Sequence, residues 1–180
     1  TLNAATNVVG ATAATKTIDI TETGDTLVAT AAQLTAATVT DTATSNVTVT
    51  ALGATAFDAD NFSIAGNLLV QTVSAAGDVT LDSTTNIVGA TAATKTISIT
   101  DDDTLTGTAA QLTGVAVTDV GTANVTVTAL GNTAFNAAPF NIDGNLLVQT
   151  VAGSGDVTAR SLSQVVARSS ERIMLAMHFK

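Results

Sequence analysis

The densest group of reactive side chains in this chain is Asp101-Asp102-Asp103. Hard carboxylate oxygens in a tight loop suit calcium. A nearly identical earlier stretch carries Glu22 and Asp25 at the corresponding place, so the loop is acidic twice. Neither EF-hand spacing nor a GGxGxD nonapeptide accompanies it, and a solvated acidic loop is the plainer reading. Calcium at Asp101, Asp102 and Asp103 is the only cofactor the residues suggest. His178 is the single histidine and cysteine is absent. His-based triads, Cys–His pairs and zinc sites therefore lack their parts. Asp41 and Asp119 are related positions, as are Asp78 and Asp156, and all four lie beside turns, where Asp bonds its own backbone. Nothing sets two acids in the contrasting environments that glycoside hydrolysis needs. Gly66-Asn67 and Gly144-Asn145 read as turns, since no phosphate-cradling glycine motif surrounds them. The expectation is a protein that is not an enzyme.

Hydroxyls offer the other chemistry. Thr48 and Thr50, and again Thr126 and Thr128, form T-x-T pairs. Side chains two apart on a strand share a face. Stacked T-x-T rows resemble the ice-binding surfaces of some antifreeze proteins, whereas outward Thr also serves simply to favour strands. Asn46-Val-Thr48, Asn124-Val-Thr126 and Asn61-Phe-Ser63 match the acceptor pattern for N-glycosylation. Such matches arise readily in a Thr-rich chain.

The elements that must position these groups come from a duplication. TNVVGATAATKTIDIT at 6–21 returns as TNIVGATAATKTISIT at 85–100. The offset is 79 residues there (86 − 7) and 78 later (124 − 46), one residue being lost at the acidic loop. The units run 1–79 and 80–158, followed by a tail at 159–180. Within each unit short runs alternate with period two, as in Lys16–Ile20, Asn46–Thr50, Phe62–Ile64, Leu68–Val70 and Asp78–Leu81. Alternation of this kind predicts half-buried strands. Gly, Asn and Asp punctuate the runs, and Pro139 is the only proline.

Ile18, Val39, Phe62, Val79, Ile97, Val115, Phe140 and Val157 serve as strand anchors, four intervals to a unit. Their mean spacing of about 19.5 residues is that of a β-solenoid coil. The predicted fold is thus all-β, a parallel β-helix of about eight short coils with a C-terminal helix or strand. Two tandem immunoglobulin-like sandwiches are the alternative, since seven or eight short strands per unit also suit them. Ile142-Asp-Gly-Asn-Leu146 even has the look of a hairpin turn. Against sandwiches stand the missing Trp and Tyr and the near-regular sub-repeat.

Composition agrees. Hydrophobic residues make up 46% of the chain but aromatics only 3%, so the core must be thin layers of Val, Ile and Leu. Net charge is −9 with six basic residues, which disfavours nucleic acid. No apolar run is long enough for a transmembrane helix. The first residue is Thr rather than Met, which is expected of a chain whose export signal has been removed or of an excerpt.

Phe62-Ser-Ile-Ala-Gly-Asn-Leu-Leu-Val-Gln-Thr72 followed by Gly77-Asp-Val-Thr-Leu81 resembles the coils of filamentous-haemagglutinin-like proteins, and Phe140 to Thr158 repeats it. Thr30-Ala-Ala-Gln-Leu-Thr35 and Thr108-Ala-Ala-Gln-Leu-Thr113 resemble segments of large repetitive bacterial surface proteins. The resemblance covers both units and not the tail. It implies an exported, extracellular or cell-surface protein with a structural or adhesive role, and transfers no catalytic residues.

The tail differs in kind: it holds Arg160, Arg168, Arg172 and Lys180, the histidine and both methionines. Ser161-x-x-Gln164 fits a capping box ahead of a helix over about 162–177. Such a helix would cap the last coil. Ile173, Leu175, Met177 and Phe179 also alternate, and a terminal strand with a late aromatic resembles the last strand of outer-membrane barrels, although Lys180 follows it. A third reading is polymer contact, with Arg160, Arg168, Arg172, Ile173, Met177 and Phe179 meeting the acidic repeats of a neighbour. Thr158 would then lie near the next subunit's Thr1 and Leu2. The expected function is a subunit of a surface fibre that assembles head to tail with itself. The alternative is an adhesin that binds ice or host and matrix glycans through a Thr/Asn face.

Overall fold

In Asn46–Leu52 the sequence NVTVTAL buries Val47, Val49 and Leu52 and turns Asn46, Thr48 and Thr50 outward. Asn124–Leu130 has the same seven residues in the same in-out order. A strand so patterned needs neighbours on both edges, and a computed structural model of the chain, describing residues 1–2, 6–73, 77–131 and 134–151, shows how they are supplied. In chain order the elements are β1 (Thr17–Ile20), β2 (Thr26–Thr30), α1 (Ala31–Leu34), β3 (Thr38–Asp41), β4 (Asn46–Leu52), β5 (Phe62–Ser63), β6 (Asn67–Thr72) and β7 (Val79–Thr80). There follow β8 (Thr94–Ile99), β9 (Thr104–Thr108), α2 (Ala109–Leu112), β10 (Ala116–Asp119), β11 (Asn124–Leu130), β12 (Phe140–Asn141) and β13 (Leu146–Thr150).

Every strand pairing among the described residues is parallel, and the strands form three sheets. Side I stacks β1, β3 and β5; side II stacks β2, β4, β6, β8, β10 and β12; side III stacks β7, β9, β11 and β13. The chain is a parallel β-solenoid of about six coils, one for each strand of side II. Immunoglobulin-like sandwiches are excluded, because they need antiparallel sheets. The hairpin that the sandwich alternative would put around Asp143-Gly144 is instead a corner leading into β13, which pairs in parallel with β11.

The coil number also differs from the expected eight, for a geometric reason. Thr17 pairs with Thr38, Thr26 with Asn46 and Val39 with Phe62, so a coil takes 20 to 23 residues. Between the units Asn67 pairs with Thr94 and Val79 with Leu105, a coil of 26 to 27. That longer coil has strands on sides II and III and a bridge from Ser63 to Thr91 on side I. From β1 on side I to its counterpart β8 on side II the chain covers three coils and one extra side. Anchors Ile18, Val39 and Phe62 are whole coils apart, whereas Phe62 to Val79 and Val79 to Ile97 are two-thirds steps. Averaging them makes the coil look short.

In the two coils that begin with β1 and β8, the side left without a strand is closed by α1 and α2 respectively. Each is a single turn held by a capping box: the Gln33 amide accepts from Thr30 N–H at 3.0 Å and Thr30 Oγ1 accepts from Gln33 N–H at 3.2 Å. Thr108 and Gln111 repeat both distances. The Gln111 side chain also donates to the carbonyls of Asp82 and Thr85 in the coil below, as Gln33 does to Thr6. One hydrophobic core runs through both units, with Leu34, Val47, Leu68, Ile97, Leu105, Val117 and Val127 all fully buried. Phe57 meets Phe62 edge to face at 5.9 Å, and Phe135 meets Phe140 likewise at 5.8 Å.

Candidate functional site

Outward residues of successive coils line up in rows, because parallel strands in register place like positions about 4.8 Å apart. Thr48 stands on side II in the row Val28, Thr48, Leu69, Thr96, Ala116. Thr126 stands on side III in the row Thr80, Thr106, Thr126, Leu147. Thr50 is opposite Thr30, and Thr128 opposite Thr108. The two T-x-T pairs therefore occupy different sides of the solenoid and do not extend one another. Side III carries the richer block, with Thr104, Thr106 and Thr108 of β9 beside Asn124, Thr126 and Thr128 of β11. Side I has a further row of Asp19, Thr40, Ser63 and Thr91, in which Thr40 Oγ1 donates to Asp19 Oδ1 at 2.8 Å.

The asparagines at the strand starts form ladders. Asn46 Oδ1 accepts from Asn67 N–H at 2.9 Å, and Asn67 Oδ1 accepts from Thr94 Oγ1 at 2.7 Å. Asn124 Oδ1 accepts both the backbone N–H and side-chain amide of Asn145. These bonds give Asn46 and Asn124 a structural use.

The acids are also engaged between coils. Asp41 accepts from Ser45 N–H at 2.9 Å and from Ala65 N–H, in the next coil, at 3.0 Å. Asp119 does the same for Ala123 and Asp143. Asp78 accepts from Thr104 N–H, and Asp102 from Thr122 N–H, both at 2.7 Å. The sequence places Asp41, Asp78 and Asp119 beside turns, and Asp41 and Asp119 do bond their own turns. The structure adds clasps across about 20 to 26 residues, which only coil length could have revealed. Asp101, Asp102 and Asp103 do not converge: among the described residues no three Asp, Glu, His or Cys side chains are grouped as metal ligands. Hydrogen bonds from the Thr84 hydroxyl and then the Thr84 N–H hold the Asp82 carboxyl below the ordinary aspartate value.

No protein-family model matches the chain. No curated protein and no solved structure matches it either. Lys95 lies on the same side of its strand as Ile97 and turns its ammonium to the carbonyls of Val88 and Ala90 at 2.6 and 3.0 Å. Thr1 and Leu2 lie beside β2, where Leu2 N–H donates to Val28 O at 2.8 Å. Thr158, Arg160, Arg168, Arg172, Ile173, Met177 and Phe179 lie outside the described residues, as does the expected helix or strand of the tail. No described helix is long and apolar enough to cross a membrane.

Proposed function

We propose that this protein is a structural, non-enzymatic element of an extracellular or cell-surface fibre, built to be extended by further coils and associating head to tail with itself. One observation carries the reading: β8 of the second unit continues the sheet of β6 from the first in register over five residue pairs, Asn67–Thr94 to Gln71–Ser98. A unit that stacks on its own copy this way is a lengthening device. The polar atoms support it, since Asn ladders and Asp clasps serve the stack. The resemblance to bacterial surface repeats gives the setting. Electron microscopy of the purified protein is the test. Rods that lengthen with concentration are expected, and deletion of 159–180 is expected to leave folded monomers if the tail joins subunits. Isolated particles at every concentration would overturn the proposal.

A second reading is favoured by the side III block of Thr104, Thr106, Thr108, Asn124, Thr126 and Thr128. These hydroxyls and amides repeat at about 4.8 Å between strands and about 6.6 Å along them. Such a lattice suits a glycan or ice surface. Thermal hysteresis and glycan-array binding by monomers would support it, and their loss on Thr126→Val with Thr128→Val would locate it.

A further inference from the structure

The two ends of the described stack are copies of the two surfaces that already meet inside it. The upper surface of the first unit is made by 57–72 and the lower surface of the second by 85–100. They meet through Asp58–Asn86, Ser63–Thr91 and the β6–β8 ladder. The outer end of the second unit repeats the first surface as 135–150, and the outer end of the first unit repeats the second as 6–21. β13 ends side III and β1 ends side I.

Both outer surfaces hold the local geometry of the joined ones. Asn7 Oδ1 accepts from Gly10 N–H at 2.7 Å, as Asn86 Oδ1 does from Gly89 at 3.0 Å. Ala11 N–H donates to Val8 O as Ala90 N–H does to Ile87 O. Leu2 N–H donates to Val28 O as Leu81 N–H does to Thr106 O, both at 2.8 Å. At the other end Asn145 is aligned on Asn124 as Asn67 is on Asn46. What differs is cover. Leu68, Val70 and Ile97 are fully buried, whereas Leu146, Val148 and Ile18 remain partly exposed. An open depression of about 240 Å³ lies at the first coil, lined in part by Ile18, Ile20 and Leu27.

We infer that the occupant of these ends is a second copy of this chain, docked in the register of the internal junction. Leu146 to Gln149 of one chain then pair with Lys16 to Asp19 of the next, as Leu68 to Gln71 pair with Lys95 to Ser98. Asn145 accepts from Thr15 as Asn67 does from Thr94. Thr150 meets Thr21 as Thr72 meets Thr100, whose hydroxyls are 3.3 Å apart. Asp19 replaces Ser98 opposite a glutamine, whose amide can donate to it. One bond is not reproduced: Asp60 accepts from Asn86 Nδ2 at 2.7 Å, and Ala138 stands at the Asp60 position. The interface is therefore looser than the junction by that contact, which suits reversible ends. This inference rests on the fibre reading and adds its register.

The absence of cysteine makes the test direct. Full-length Gln149→Cys is mixed with full-length Asp19→Cys under mild oxidation, with Leu147→Cys plus Asp19→Cys as the pair two residues out of register. All three positions face outward, so the circular dichroism of each variant should match the parent. The expected result is a disulfide-linked dimer for the in-register pair, at least tenfold more abundant than for the shifted pair. Association in sedimentation without preference for the in-register pair overturns the register and leaves the fibre reading standing. A chain that stays monomeric at all concentrations overturns both.

Discussion

The two units share every residue of 46–52 and 124–130, yet one set of strands lies on sides I and II and the other on sides II and III. Val47 and Val125 are equally buried although they belong to different sheets. Which side chains point inward is thus a local matter, decided by alternation. Which sheet a strand joins is decided by how many sides the chain has already turned. How deeply a residue is buried depends on whether a coil lies beyond it: Leu68 has β4 and β8 as neighbours, and Leu146 has β11 alone.

The sharpest way to break that comparison is a matched pair of deletions. Leu68→Ala should cost about 2–5 kcal/mol, the usual range for a buried Leu. Leu146→Ala should cost clearly less, since its side chain is already part-exposed. Equal losses in chemical denaturation would mean that the last coil is covered in solution. A position indifferent to coil context comes next. A Cβ at Gly66 would run into the Ser45 carbonyl oxygen, and one at Gly144 into that of Ala123. Both backbones must shift, so Gly66→Ala and Gly144→Ala should each cost about 1–3 kcal/mol, the range for overpacking.

Smaller effects sharpen the comparison within single turns. Ala36 has φ of 60°, and its counterpart Gly114 has φ of 73°. Left-handed backbone costs a non-glycine residue about 1 kcal/mol. Ala36→Gly should therefore raise the thermal midpoint and Gly114→Ala lower it. Thr30→Ala and Thr108→Ala should each lose about 1 kcal/mol with their caps. The least effect is electrostatic and belongs to one unit only, because Asn3 replaces Asp82 in the other. The folded pKa of Asp82 is depressed. Its contribution to stability is present above the unfolded pKa and fades as pH falls through the lowered folded value. Thr84→Ala should move the Asp82 titration seen by NMR back upward; an unmoved curve would rule out the Thr84 bonds as the cause.

Much of this was legible beforehand. Runs such as Asn46–Thr50 and Lys16–Ile20 announced their strands by alternation, and the near-regular spacing announced stacked coils. Two things were not legible. The Thr30-Ala-Ala-Gln-Leu segment carried a capping-box signature, T-x-x-Q, but its four residues are too few to show helical periodicity. The coil count failed because Phe62, Val79 and Ile97 look like successive equivalents, and nothing in their own side chains records that each lies on a different side. Thr48, Thr50, Thr126 and Thr128 alternate with buried valines, as the strand period requires. Their separation on sides II and III follows from the same hidden turn.

That turn has a consequence beyond stacking. A gain or loss of one unit would leave every in-out pattern intact and still rotate whatever follows by roughly a third of a revolution. Three units restore the original bearing after ten coils (three times three and one-third). Length and aim are therefore coupled in this molecule. An array grown by copying steps through three headings, and a partner fixed at its far end would meet the shaft from a new direction each time.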